Sequence, residues 1–278
     1  MYDFEWRVMN LLANLPAVGY ALGAGIATGI GGFLVLLFRK TNAKMLSTML
    51  GFSAGVMIYV SFIEIFPEAE TILTSVHGIK KGQILTVLSF FFGIVLMAFI
   101  DELVPEPTNP HESHRIEEAD ALYYDRKAGK LYKTGIFTAI AVTIHNFPEG
   151  VAAFISGVRN PVLGLSIALA IAIHNIPEGI AIAIPVYYAT RSRRKALWMS
   201  LLSGLSEPLG AVMTLLILGP FISDTLFGIV FAAVAGIMIY ISLDELLPTA
   251  REYGEHHFSI LGLVLGMGVM ALSILLIF

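Results

Sequence analysis

The 278-residue chain contains no cysteine, which excludes disulfides, thiolate metal ligands and a cysteine nucleophile together. Charge is scarce too. Asp, Glu, Lys and Arg make up 14% of the residues, against roughly 25% in soluble domains. With a net charge of −4 and no basic domain, nothing suits a nucleic-acid backbone. What fills the chain instead is apolar: 56% of it is hydrophobic and its mean hydropathy is +0.79. Apolar runs of about 20 residues are the mark of membrane-spanning helices. Eight are visible, at about 17–38, 46–66, 83–103, 134–156, 161–188, 197–219, 223–247 and 257–278. The expected fold is an all-α integral membrane protein, one polytopic domain over 1–278 with a loop at about 104–133. Its stability would come from helix packing in lipid.

Residues 1–16 carry Asp3 and Glu5 against Arg7, the wrong charge for a cleaved signal. Arg7, Lys80, Lys81 and Arg159 fall on one side of the eight expected spans, and the other thirteen of the 17 basic residues fall on the other. Basic loops stay in the cytoplasm, so both termini are expected outside.

Two hexapeptides 29 residues apart dominate the sequence: His145-Asn146-Phe147-Pro148-Glu149-Gly150 and His174-Asn175-Ile176-Pro177-Glu178-Gly179. Each interrupts an apolar run, where an ionisable side chain costs about 2.5–3.5 kcal/mol on insertion scales. On a helix, His145 shares a face with Glu149 four residues later, and Asn146 neighbours the same Glu149; His174, Asn175 and Glu178 repeat the geometry. Pro148 and Pro177 each free a carbonyl one turn back and should kink their helices. Gly150 and Gly179 allow close backbone approach. A single intramembrane histidine can be a hydrogen-bonded packing residue. Two matched copies on adjacent helices argue for a ligand set, and His, carboxylate and amide oxygen suit zinc, iron(II), manganese or cobalt.

A second repeat frames the first. Ala54–Ala69 matches Ala235–Ala250 at nine of sixteen positions, an offset of 181 that also aligns Gly23 with Gly204 and Gly29 with Gly210. Gly93, Met97 and Ala98 align with Gly266, Met270 and Ala271. Helices 1–3 thus repeat as 6–8 around a central pair. Three helices plus two is odd, so the repeats run in opposite directions, an arrangement common in secondary transporters. Glu207, before Pro208 in helix 6, is a third intramembrane acid. It is either a neutral buried carboxyl with a hydrogen-bonding neighbour or an oxygen ligand for the central pair.

The doubled hexapeptide and the 3+2+3 repeat resemble the ZIP family of divalent-metal transporters. The segment Gly55–Glu64 and Ser206-Glu207-Pro208-Leu209-Gly210 are similar to its bacterial zinc-uptake branch. The resemblance covers the chain outside about 104–133. It implies a binuclear midmembrane site, one position held by His145, Glu149, His174 and Glu178. The other would use Asn146, Asn175 and Glu207, with Glu149 and Glu178 bridging. It also implies an elevator-like motion of helices 1, 4, 5 and 6 against 2, 3, 7 and 8, carrying metal inward across the bacterial cytoplasmic membrane. Zinc is the first candidate cargo, with iron, manganese, cobalt and cadmium open. No prosthetic group is expected; the partners are divalent cations and the lipid bilayer, and a homodimer is left open.

Other acids are read as lying near helix ends: Glu64 and Glu68 at the outer end of helix 2, and Asp101, Glu102, Asp244 and Glu245 at inner ends. They are either stations that concentrate cations or ordinary interfacial residues. His111 and His114 fit a solvated linker better than a metal trap, and the same holds for His256 and His257. Arg191 to Lys195 anchor the topology, with Tyr187, Tyr188 and Trp198 in an aromatic belt. A metal hydrolase is disfavoured, because no His-Glu-x-x-His stretch and no clear nucleophile exist, so no enzyme is expected. A channel or purely structural protein would not need matched helices with buried ligands.

Overall fold

The computed structural model describes residues 2–37, 43–103, 120–159, 161–218, 223–252 and 256–277. Every element among them is helical, and they form eight rods: α1 (Tyr2–Leu36), α2 (Ala43–His77), α3 (Ile79–Leu103), α4 (Asp120–Arg159), α5 (Pro161–Thr190), α6 (residues 193–218), α7 (Asp224–Glu252) and α8 (His256–Ile277). Seven are long and apolar enough to cross a membrane, so this is a multi-pass membrane protein. The remaining rod is α4, whose polar hexapeptide and charged first half dilute its apolar character. Leu88, Phe91, Phe92 and Val95 on α3 stand exposed, which suits lipid and not water. Burial grades inward, from 22% of the α8 span to 71% of the α5 span. The hexapeptide helices lie at the centre.

Three boundaries differ from the sequence expectation. Helix α1 is already helical at Tyr2 and α4 at Asp120, because a helix with charged residues needs no apolar run to persist. The part of the expected loop that holds His111 and His114 lies outside the described residues. Helix α2 does not stop near residue 66. It continues through Pro67 to His77, by way of a π-helical turn at Ser61–Ile65 in which the Phe66 N–H reaches back to the Ser61 carbonyl. A proline lacks the next donor, and the wide turn absorbs the mismatch. The same device recurs at Ile241–Leu246 before Pro248, where the Leu247 N–H bonds to the Ser242 carbonyl. Ser61 and Ser242 each back-bond one turn earlier, to the Met57 and Met238 carbonyls at 2.6 and 2.7 Å.

The rods sort into two bundles. Helices α2, α3, α7 and α8 pack on one another, and α1, α4, α5 and α6 do likewise. Across the boundary, α2 and α8 rest on α5, and α7 rests on α4. Within each bundle, glycines set backbone against backbone. A Cβ at Gly55 would strike the Leu263 carbonyl, and one at Gly236 the Phe90 carbonyl; Gly266 and Gly93 meet the Phe52 and Ala233 carbonyls in the same fashion. These contacts fall at positions that the sequence alignment pairs. In the other bundle Gly150 abuts the Glu207 carbonyl and Gly179 the Thr28 carbonyl, while Gly25 and Gly204 meet each other's carbonyls. In α1 it is Gly25 and Gly31 that meet neighbouring backbone, Gly25 at Gly204 and Gly31 at the Ile176 carbonyl, while Gly210 meets the Phe147 carbonyl. The expected partners Gly23 and Gly29 are two residues away, and Gly23 has nothing within 4 Å. Alignment counts identical glycines, whereas contact depends on which of them faces the neighbour.

Candidate metal centre

Helices α4 and α5 run through Pro148 and Pro177 without losing helical geometry, and bring the two hexapeptides face to face. All seven candidate ligands are buried: His145, Asn146, Glu149, His174, Asn175, Glu178 and Glu207 are each at most 2% exposed. The pairing runs between helices. His145 Nε2 lies 2.9 Å from Glu178 Oε1, and His174 Nε2 lies 3.3 Å from Glu149 Oε1. Each imidazole therefore meets the carboxylate of the other motif. Asn175 Nδ2 donates to the Ala24 carbonyl at 2.9 Å and to Glu207 Oε1, tying α1, α5 and α6 together.

Much of the polar inventory stays unpaired. Both His Nδ1 atoms, both polar atoms of Asn146, Asn175 Oδ1, and the Oε2 atoms of Glu149, Glu178 and Glu207 are buried without a hydrogen-bond partner among the described residues. One such atom typically costs about 1–3 kcal/mol, and isolated buried carboxylates cost more. Oxygens and imidazole nitrogens held in excess at one place are the donor set of a hard-to-borderline cation.

A family model described as "ZIP Zinc transporter" matches residues 102–274, a stretch that contains both hexapeptides and Glu207. Curated relatives agree along nearly the whole length. "Zinc transporter ZupT" of Chlorobaculum parvum is 56% identical over 265 residues, covering 94% of this chain and 97% of the relative. The proteins of the same description from Chlorobium chlorochromatii and Streptococcus mutans are each 55% identical, over 262 and 253 residues, covering 94% and 91% of this chain and 97% and 94% of the relatives. The chain belongs to the ZIP family. Membership places it among transporters and not among metal hydrolases.

In this ZIP chain a cavity of about 790 Å³ leads to one side of the ligand cluster. Exposed Glu68 and Asp224 line it, as do Glu64 and, from the cluster, Glu149 and His174. Glu64 does not lie at a helix end. It sits inside the long α2 rod, in the π-helical turn, with its Oε2 buried and unpartnered. The available signal was its identity with Glu245 across the repeat, in a segment that reads as membrane-embedded. At the other end, Asp101, Asp244 and Glu245 bring carboxylate oxygens within 4.8 Å of one another, and the Tyr240 hydroxyl donates to Asp101 at 3.2 Å. His256 and His257 are exposed and stack edge to face at 5.7 Å.

Proposed function

We propose that the chain carries divalent transition-metal ions, zinc above all, across the bacterial cytoplasmic membrane into the cell. The observation that carries this reading is the convergence of seven buried ligand-type side chains with so many unpaired polar atoms at the centre of a membrane protein. The family resemblance and the relatives' description as zinc transporters support the cargo. The first metal position takes His145, Glu149, His174 and Glu178. The second takes Asn146, Asn175 and Glu207, with Glu149 and Glu178 bridging. Asn175 has its amide N–H committed to Glu207 and Ala24, which leaves Oδ1 for a cation. Iron(II), manganese, cobalt and cadmium offer the same donors a similar fit.

Helix α4 serves as an eighth span, because its hexapeptide sits beside that of α5, itself a candidate span. The equivalent glycine contacts and the paired π-helical turns support the inverted 3+2+3 repeat. The two bundles then supply the parts of an elevator-like carrier, α1, α4, α5 and α6 moving against α2, α3, α7 and α8. The cavity beside Glu149 and His174 faces outward, so cations approach past Glu68 and Glu64, where clustered acids raise their local concentration. A cysteine placed at Lys127 should react with thiol reagents from the cytoplasmic side only, and one at Asp224 from outside only. The reverse labelling in intact cells overturns this orientation.

The function is tested by zinc accumulation in proteoliposomes. Saturable uptake, competed by the other dications according to preference, is expected; no accumulation would remove the transport reading. In the same assay Glu207→Gln should lower bound metal from two equivalents toward one and change rate or metal preference while leaving measurable uptake, since the first position keeps its four ligands. A Glu207→Gln protein with no uptake would make the second position obligatory.

A further inference from the structure

The fully buried hydroxyl of Ser53, on α2, donates to the carbonyl of Pro177, on α5, at 2.7 Å. This bond crosses from one bundle to the other, from the first repeat's second helix into the second hexapeptide itself. Its surroundings are unlike those inside the bundles. Among the described residues, every glycine whose Cβ would meet a neighbouring rod has that neighbour in its own bundle. The boundary between bundles lacks such backbone interlocks and is suited to sliding, and a directional bond across it must break when the bundles slide.

The repeat exposes an asymmetry. Ala54 matches Ala235, so the residue equivalent to Ser53 is Val234 on α7, and the residue equivalent to Pro177 is Pro148 on α4. Helix α7 rests on α4 as α2 rests on α5. Val234 is buried, 2% exposed, and has no hydroxyl to donate. In an inverted repeat the two access states exchange the environments of the two halves. The Ser53 bond therefore belongs to one access state, and its counterpart in the other is a contact between methyl groups and a carbonyl.

We propose that Ser53 is a latch that holds the arrangement in which Glu149 and His174 line the cavity, and that Val234 leaves the opposite arrangement unlatched. The inference rests on the two-bundle motion proposed above. The cysteine-free chain permits a single reporter: Ser156→Cys on the cavity wall, carrying a trifluoromethyl tag, in lipid nanodiscs. Fluorine NMR then gives the populations of the cavity-open and cavity-closed forms directly. Ser53→Ala should lower the open-to-closed ratio about two- to tenfold, the range of one net hydrogen bond. Val234→Thr, equal in shape but adding the missing hydroxyl, should shift it the same way, and the double variant further still. If zinc shifts the populations but Ser53→Ala leaves them unchanged, the bundles move and the latch is wrong. If one resonance persists with and without zinc in a protein that still transports, the bundle motion is wrong and the latch falls with it.

Discussion

Glu149→Ala or Glu178→Ala is expected to cut zinc uptake at least about 100-fold, more than the 10–100-fold typical of losing a supporting partner, while the protein still inserts in the membrane. Each carboxylate has two separate uses. One oxygen stands beside the opposite motif's imidazole, Glu149 with His174 and Glu178 with His145, and the other is unpaired. Removal therefore takes away the bridging ligand proposed above and leaves a buried imidazole without its partner. Uptake of radioactive zinc by variants matched for expression is the measurement. Near-normal uptake by either variant would refute the site assignment.

The next largest effect is expected on assembly. Gly150→Ala puts a methyl group against the Glu207 carbonyl, and Gly179→Ala puts one against the Thr28 carbonyl. Both obstacles are backbone, so the helices themselves must separate, at a cost of about 1–3 kcal/mol for overpacking of this kind. Gly150→Ala should also displace Glu207 and disturb the proposed second metal position. Gly23→Ala is the internal control: it faces nothing within 4 Å, and alanine is the better helix former by roughly 0.5–1 kcal/mol. Thermal unfolding in detergent should rank Gly23→Ala at or above the parent and the other two well below it. Equal melting temperatures for all three would mean that α4–α6 and α5–α1 do not approach so closely.

The buried polar cluster was legible because polar groups in an apolar run announce themselves, and doubling makes accident a poor explanation. Their pairing was not. Spacing shows that His145 and Glu149 share a helix face, but only packing decides that His145 meets Glu178. The place of Glu64 within its helix was hidden for a related reason. A proline after an apolar run reads as a stop, so Glu64 looked like a helix-end acid until the π-helical turn carried α2 past Pro67. The match of residues 54–69 with 235–250 is visible as identities, whereas Gly25, which meets the α6 backbone, stands two residues from Gly23, which the alignment picks, because helix rotation is not written in glycine counts. The helical start of α4 at Asp120 was hidden by charge, since hydropathy detects membrane depth and not helicity.

The pairing of α2 with α8 has a consequence for how the chain is made. Ser47 on α2 donates to the Ala250 carbonyl, 203 residues away at the end of α7, and the α2 face bearing Gly51 and Gly55 is covered by α8. During synthesis this face is inserted well before its cover, since α8 follows α2, α3, α4, α5, α6 and α7 in the chain. The bundle of α1, α4, α5 and α6 has all its members once α6 has emerged, whereas the other stays open until α8 has emerged as well. Loops closed over such distances form late, and half-made membrane domains are prone to misassembly. Until α8 emerges, the glycine groove of α2 must be shielded by lipid or by the insertion machinery.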